Sequence, residues 1–143
     1  MEPTKEAIRA LIQERMRGNF NGLVGLEFLE GGRGFARLRL PVRPEILQPA
    51  GIVHGGAVAT LVDVTGGIGA HLSHPPGSRC VTVEMKINFI AAVSEGALLS
   101  EGAALHVGRR TSVWQVRVAD ERAGRIISFA TATYMVVQEG PGG

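Results

Sequence analysis

Two features of this chain combine residue type and spacing suited to chemistry: a carboxylate set in an apolar run, and a glycine pair ahead of it. Asp63 stands in Ala57-Val58-Ala59-Thr60-Leu61-Val62-Asp63-Val64. A lone carboxylate among such neighbours is expensive to bury and calls for a partner. It is either a structural group satisfied by a helix end or an arginine, or a general base or nucleophile. Gly55-Gly56 opens the same run. The first N–H groups of a helix have no internal acceptor and lie at the positive end of its dipole. Glycine there admits an oxygen that a Cβ would hold off, so the pair serves either close packing or a developing oxyanion.

Gln48, on the stretch leading into that run, carries an amide that can donate to a carbonyl oxygen or orient a water; a solvated loop residue is the plain alternative. His54 suits catalysis and, equally, a hydrogen bond across the loop. His71 and His74 have ligand-like spacing, but Pro75-Pro76 ends the run and no third ligand is evident, so no metal is expected. Cys80 is expected on the polar face of a strand with no base nearby, which argues against a nucleophilic thiol. Arg79, Arg109 and Arg110 fall at strand ends or turns, where they stay solvated or pair with ligand phosphates. Gly66, Gly67 and Gly69 read as packing positions.

Helix geometry separates the two leading candidates. The rise from Gly55 to Asp63 is about 12 Å. A carbonyl held at the Gly55 N–H is out of easy reach of Asp63 in the same chain. Two antiparallel copies of the helix would bring Gly55 of one opposite Asp63 of the other, which predicts a two-fold dimer with two shared sites.

The elements that must position these residues follow from periodicity. Thr4 caps a helix with Ile8, Leu11, Ile12 and Met16 on one face, Arg15 and Arg17 in its last turn and Gly18 after it; residues 1–18 read as an amphipathic N-terminal helix. Leu23 to Leu40 reads as a period-two hairpin turning at Gly31-Gly32. Pro41 to Pro49 is irregular, and a long central helix spans about 55–72. Beyond the His74–Gly77 break, Val81, Val83, Met85, Ile87 and Phe89 alternate with Thr82, Glu84, Lys86 and Asn88. Ala97–Val107, Thr111–Asp120 and Arg125–Val137 follow as an antiparallel meander, and 139–143 reads as a flexible tail. The expected fold is α+β: one domain over 1–143, with an antiparallel sheet of about five or six strands wrapped around the central helix.

Composition narrows the function classes. A chain of 143 residues suits one domain. Fifteen Lys+Arg against 13 Asp+Glu give +2 with no basic run longer than Arg109-Arg110, which argues against nucleic acid. The single cysteine excludes an intrachain disulfide and a CxxC metal site, and suits a cytoplasmic protein. Residues 1–18 lack the apolar stretch of a secretory signal. Ala50 to Leu72 has membrane length, but His54, Asp63 and six glycines assign it to a protein core, with no membrane partner.

Gly51-Ile52-Val53-His54-Gly55-Gly56 followed by Leu61-Val62-Asp63 resembles the HGG…D motif of hotdog-fold acyl-CoA thioesterases, specifically their PaaI-like branch. Thr82–Phe89, Gly108-Arg109-Arg110 and Ala130–Tyr134 fit the same pattern, so the resemblance covers about Leu23 to Val137. It implies that Asp63 is the catalytic carboxylate, as general base or nucleophile. It further implies that the Gly55 N–H polarises the thioester carbonyl and that Gln48 assists, with His54 beside them. Gly56, Val58, Leu61, Val62 and Phe89 become candidate substrate contacts, and Arg109 and Arg110 would meet coenzyme A phosphates. A homodimer pairing into a homotetramer is implied, and no cofactor. Two rivals share the fold: an acyl-thioester dehydratase or hydratase, whose His–carboxylate arrangement His54 does not reproduce, and a non-catalytic acyl-CoA-binding protein, which Asp63 argues against.

Overall fold

The computed structural model describes residues 1–137; the expected tail at 139–143 lies outside them. Thr4 caps α1 (Lys5–Arg15), its hydroxyl accepting from the Ala7 N–H at 3.2 Å. Ile12 and Met16 are buried, but Leu11, expected on the same face, is exposed. The buried stripe of so short a helix is the i, i+4, i+8 row of Ile8, Ile12 and Met16, and Leu11 falls beside it. A second helix, α2 (Phe20–Val24), occupies the start of the expected first strand. The Asn19 side chain accepts from the Asn21 and Gly22 N–H groups, and Gly25 ends the turn at φ 95°. That cap overrides the short apolar alternation around Leu23.

The hairpin itself is β1 (Glu27–Gly32) and β2 (Phe35–Pro41). Gly32 pairs with Phe35, so the turn is Arg33-Gly34 and not Gly31-Gly32. Gly34 supplies the positive φ, 84°, that the two-residue connection uses. Gly31 pairs with Ala36 within the strand, at a position where a Cβ would meet Leu72 at 3.0 Å. Ala36, Leu38 and Leu40 are wholly buried, as the alternation predicts.

The central helix α3 (Gly55–Ser73) is followed by β3 (Arg79–Phe89), β4 (Ala97–Val107), β5 (Thr111–Asp120) and β6 (Ile126–Val137). The strands form one antiparallel sheet in the order β1-β2-β4-β5-β6-β3. All six pack on α3, which therefore sits in the core as the sequence predicts. Among the described residues no helix is long and apolar enough to cross a membrane.

Strand β3 departs from the even alternation read in its sequence. Its pairing with β6 shifts between Thr82 and Glu84, a bulge that breaks the inward–outward order at Val83. Beyond it Met85 and Ile87 pack on the core as expected. Before it, Cys80 and Thr82 are turned toward the helix, while Val81 and Val83 are exposed. β3 is also an edge of the sheet, so this exposed apolar pair lies on a strand whose outer side is unpaired.

Candidate active site

The stretch from Pro41 to α3 is held by short-range bonds. Leu47 bridges Val53, the Gln48 N–H donates to the Ile52 carbonyl at 2.8 Å, and Gly51 turns the chain at φ 81°. The Gln48 side-chain oxygen accepts from the Ala50 N–H. Its NH₂ makes no bond among the described residues and remains a donor. His54 is the N-cap of α3: its Nδ1 accepts the Gly56 N–H at 2.7 Å, which puts the ring proton on Nε2. Gly56 fits this cap because a Cβ there would stand 2.9 Å from His54 Nδ1. The Gly55 N–H, at the first helical position, has no acceptor among the described residues. Gln48, Gly55, Val58 and Phe89 border one cavity of about 340 Å³, and the Phe89 ring lies against Gly55. An unpaired amide, an unpaired helix-terminal N–H and an apolar wall can hold and polarise a carbonyl.

Asp63 is not in that cavity. It lies two turns further along α3, half-buried, and accepts a hydrogen bond from the Thr82 hydroxyl to Oδ1 at 2.6 Å. The sequence expectation of a buried carboxylate is corrected to a half-buried one, and the partner it calls for is the Thr82 hydroxyl. Its partner is neither a helix end nor an arginine. Behind it, the buried Tyr134 hydroxyl donates to the Asp63 backbone carbonyl at 2.8 Å. Burial, and then the neighbouring Asp63 charge, push the Tyr134 phenol well above its usual range, so it stays a donor. Neither Thr82 nor Tyr134 stands out in the sequence. The Thr82 signal was hidden by the bulge, and Tyr134 is one residue of a regular strand.

The remaining candidates separate. Leu61 and Val62, expected to contact substrate, are wholly buried in the core and do not border the Gln48–Gly55 cavity. They lie one turn past Val58 on the same buried face of α3, where the sheet covers them. Arg109 and Arg110 line a second cavity of about 580 Å³ with Met135 and Val136. His71 and His74 diverge: both ring nitrogens of His74 face carbonyl oxygens, Ala70 at 2.8 Å and Gly108 at 3.0 Å. Cys80, expected on the polar face, packs on the core cluster around Trp114 and Tyr134, and burial pushes its thiol up.

Comparison with known proteins identifies the family and the fold. The family model described as Thioesterase superfamily matches residues 50–127, more than half of the chain. The 1,4-dihydroxy-2-naphthoyl-CoA hydrolase of Listeria monocytogenes is 31% identical over 98 residues, which are 68% of this chain and 80% of that protein. The Escherichia coli enzyme of the same name is 28% identical over 134 residues, covering 94% and 95%. A thioesterase structure from Pseudomonas aeruginosa superposes with a TM-score of 0.85 at 25% identity, covering 96% of each chain. The family model and these relatives show that the chain belongs to the thioesterase superfamily: its sheet around one helix is the hotdog fold, and it is a thioester hydrolase.

Proposed function

We propose that this enzyme hydrolyses an acyl-CoA thioester to a carboxylic acid and free coenzyme A, at sites completed across a homodimer. The observation that carries the shared site is the separation within one chain: Gln48 and Gly55 border a cavity that Asp63 does not reach. Water attacks the thioester carbon as Asp63 takes its proton, with Oδ1 held by Thr82. The developing oxyanion rests on the partner copy's equivalents of the Gly55 N–H and the Gln48 amide. Collapse breaks the C–S bond, and the proton on Asp63 passes to the departing thiolate. His54 acts as the cap that takes the Gly56 N–H, while the Gly55 N–H has no acceptor among the described residues. Arg109 and Arg110 would meet coenzyme A phosphates in their own cavity. The exposed apolar side chains of Val81, Val83, Phe89 and Ile90 along one sheet edge support self-association through that edge. The reading extends to the PaaI-like branch, on the Gly51–Gly56 motif with Asp63, and to a cytoplasmic dimer of dimers.

The test is thiol release from a panel of aliphatic and aromatic acyl-CoAs by wild type and Asp63→Ala. Turnover with at least one acyl-CoA, reduced roughly 10²- to 10⁴-fold in the variant, is the expected result. Wild-type protein that binds acyl-CoAs without releasing thiol, or a variant as fast as wild type, would overturn the assignment.

A further inference from the structure

The proposed reaction leaves a third cavity, about 330 Å³, without a role. It lies one step beyond the Asp63–Thr82 pair on both elements that carry the pair. On α3 its floor is Gly67, Ile68 and His71, and Gly67 is one helical turn past Asp63, about 6 Å along the axis. On β3 it is bordered by Cys80, two residues before Thr82 and turned to the same side of the strand. Ile12 and Met16 of α1 close it with buried apolar surface. A group attached to a carbonyl beside Asp63 and directed along α3 toward its C-terminus enters this space.

Its rim has a distinct chemistry. Arg15 and Asn21 border it, and Arg79 stands at the start of β3. The Arg15 guanidinium, the Asn21 side-chain amide and the His71 ring make no hydrogen bond or ion pair among the described residues. None of the described residues lining the cavity is acidic. A cavity walled by Ile12, Met16 and Ile68, with the exposed, unpaired Arg15 guanidinium and the N–H groups of Asn21 and His71 around it, favours an anion there over a methyl group. We infer that this cavity receives the acyl group and selects acyl-CoAs whose far end carries a carboxylate, read by Arg15 with Asn21 and His71.

This inference rests on the acyl-CoA hydrolase reading, and a matched pair of substrates distinguishes the two failures. Steady-state thiol release is measured with adipoyl-CoA and hexanoyl-CoA, which share a chain and differ in the terminal carboxylate. Wild type should favour adipoyl-CoA by about tenfold or more in kcat/KM, and Arg15→Gln should lower that ratio about tenfold through a higher KM for adipoyl-CoA. Arg17→Gln, on the same helix but paired with Glu14 at 3.3 Å and outside the cavity, should leave the ratio unchanged. A wild-type preference for hexanoyl-CoA, or an Arg15→Gln variant with the wild-type ratio, overturns the anionic selectivity alone. Failure to release thiol from either substrate, with the wider acyl-CoA panel equally inert, overturns both readings.

Discussion

At the scale of single residues, the Asp63–Thr82 hydrogen bond decides how the carboxylate can work. A hydroxyl donating to Oδ1 at 2.6 Å fixes the rotation of the carboxylate and leaves Oδ2 to meet a water. A hydrogen bond to a charged group is worth about 1.5–3 kcal/mol. Thr82→Val should therefore lower kcat about tenfold or more with little change in KM, and Thr82→Ser should restore most of it; steady-state thiol release measures both. Urea unfolding of Thr82→Val should show a loss of no more than about 1.5–3 kcal/mol, which separates a folded, slow variant from an unfolded one. Asp63 was legible in the sequence as a candidate, since a carboxylate in an apolar helix has few structural reasons to be there. Thr82 was not, because Val81 and Val83 imitate the buried row of a strand and nothing in their types marks the bulge that turns them outward. Gly55 and Gln48 were legible as candidates, but their unspent donors and common cavity became visible only in three dimensions.

At the scale of elements, α3 depends on where the sheet crowds it. A Cβ on Gly66 would lie 2.3 Å from the Tyr134 hydroxyl, and one on Gly69 would lie 2.5 Å from the Trp114 ring. Both aromatic side chains are fully enclosed and cannot step aside. On Gly67, one residue along, the nearest atom would be an ordinary 3.5 Å away. Gly66→Ala should therefore destabilise the fold by about 2 kcal/mol or more, as overpacking does. Gly67→Ala should be neutral or stabilising by up to about 1 kcal/mol, the helix-propensity gain. Urea unfolding distinguishes the two, and equal losses would mean that the helix does not pack on Tyr134 as described. The sequence flagged all three glycines as packing positions but could not rank them, since rank depends on which strand residue stands opposite. The same limit applies at the N-terminus. Asn19 was strong enough as a cap to form α2, yet a five-residue helix leaves too little periodicity to be read against a neighbouring strand.

At the scale of the whole molecule, the separation of the proposed polarising groups from the proposed base makes the two-copy site testable through mixed dimers. Gly55 is the first residue of α3 and His54 before it is extended, at φ −61° and ψ 135°. Proline is tolerated at such a first helical position, where it removes only the N–H. Gly55→Pro should therefore keep the fold while lowering kcat by roughly 10²–10³, the usual loss of one oxyanion donor. If each site takes Gly55 from one copy and Asp63 from the other, a heterodimer of Gly55→Pro with Asp63→Ala holds one doubly damaged site and one intact site. Purified through two different tags, that heterodimer should recover about half the wild-type kcat per dimer, although either homodimer is nearly inactive. If both groups served one carbonyl within a single chain, every site in the mixed dimer would carry a lesion and activity would stay at the level of the homodimers. A sedimentation measurement showing a monomer with full activity would remove the shared site outright. The length of α3 makes that result unexpected: about 12 Å of helix separates the Gly55 N–H from Asp63, too far for both to act on one thioester carbon in one chain.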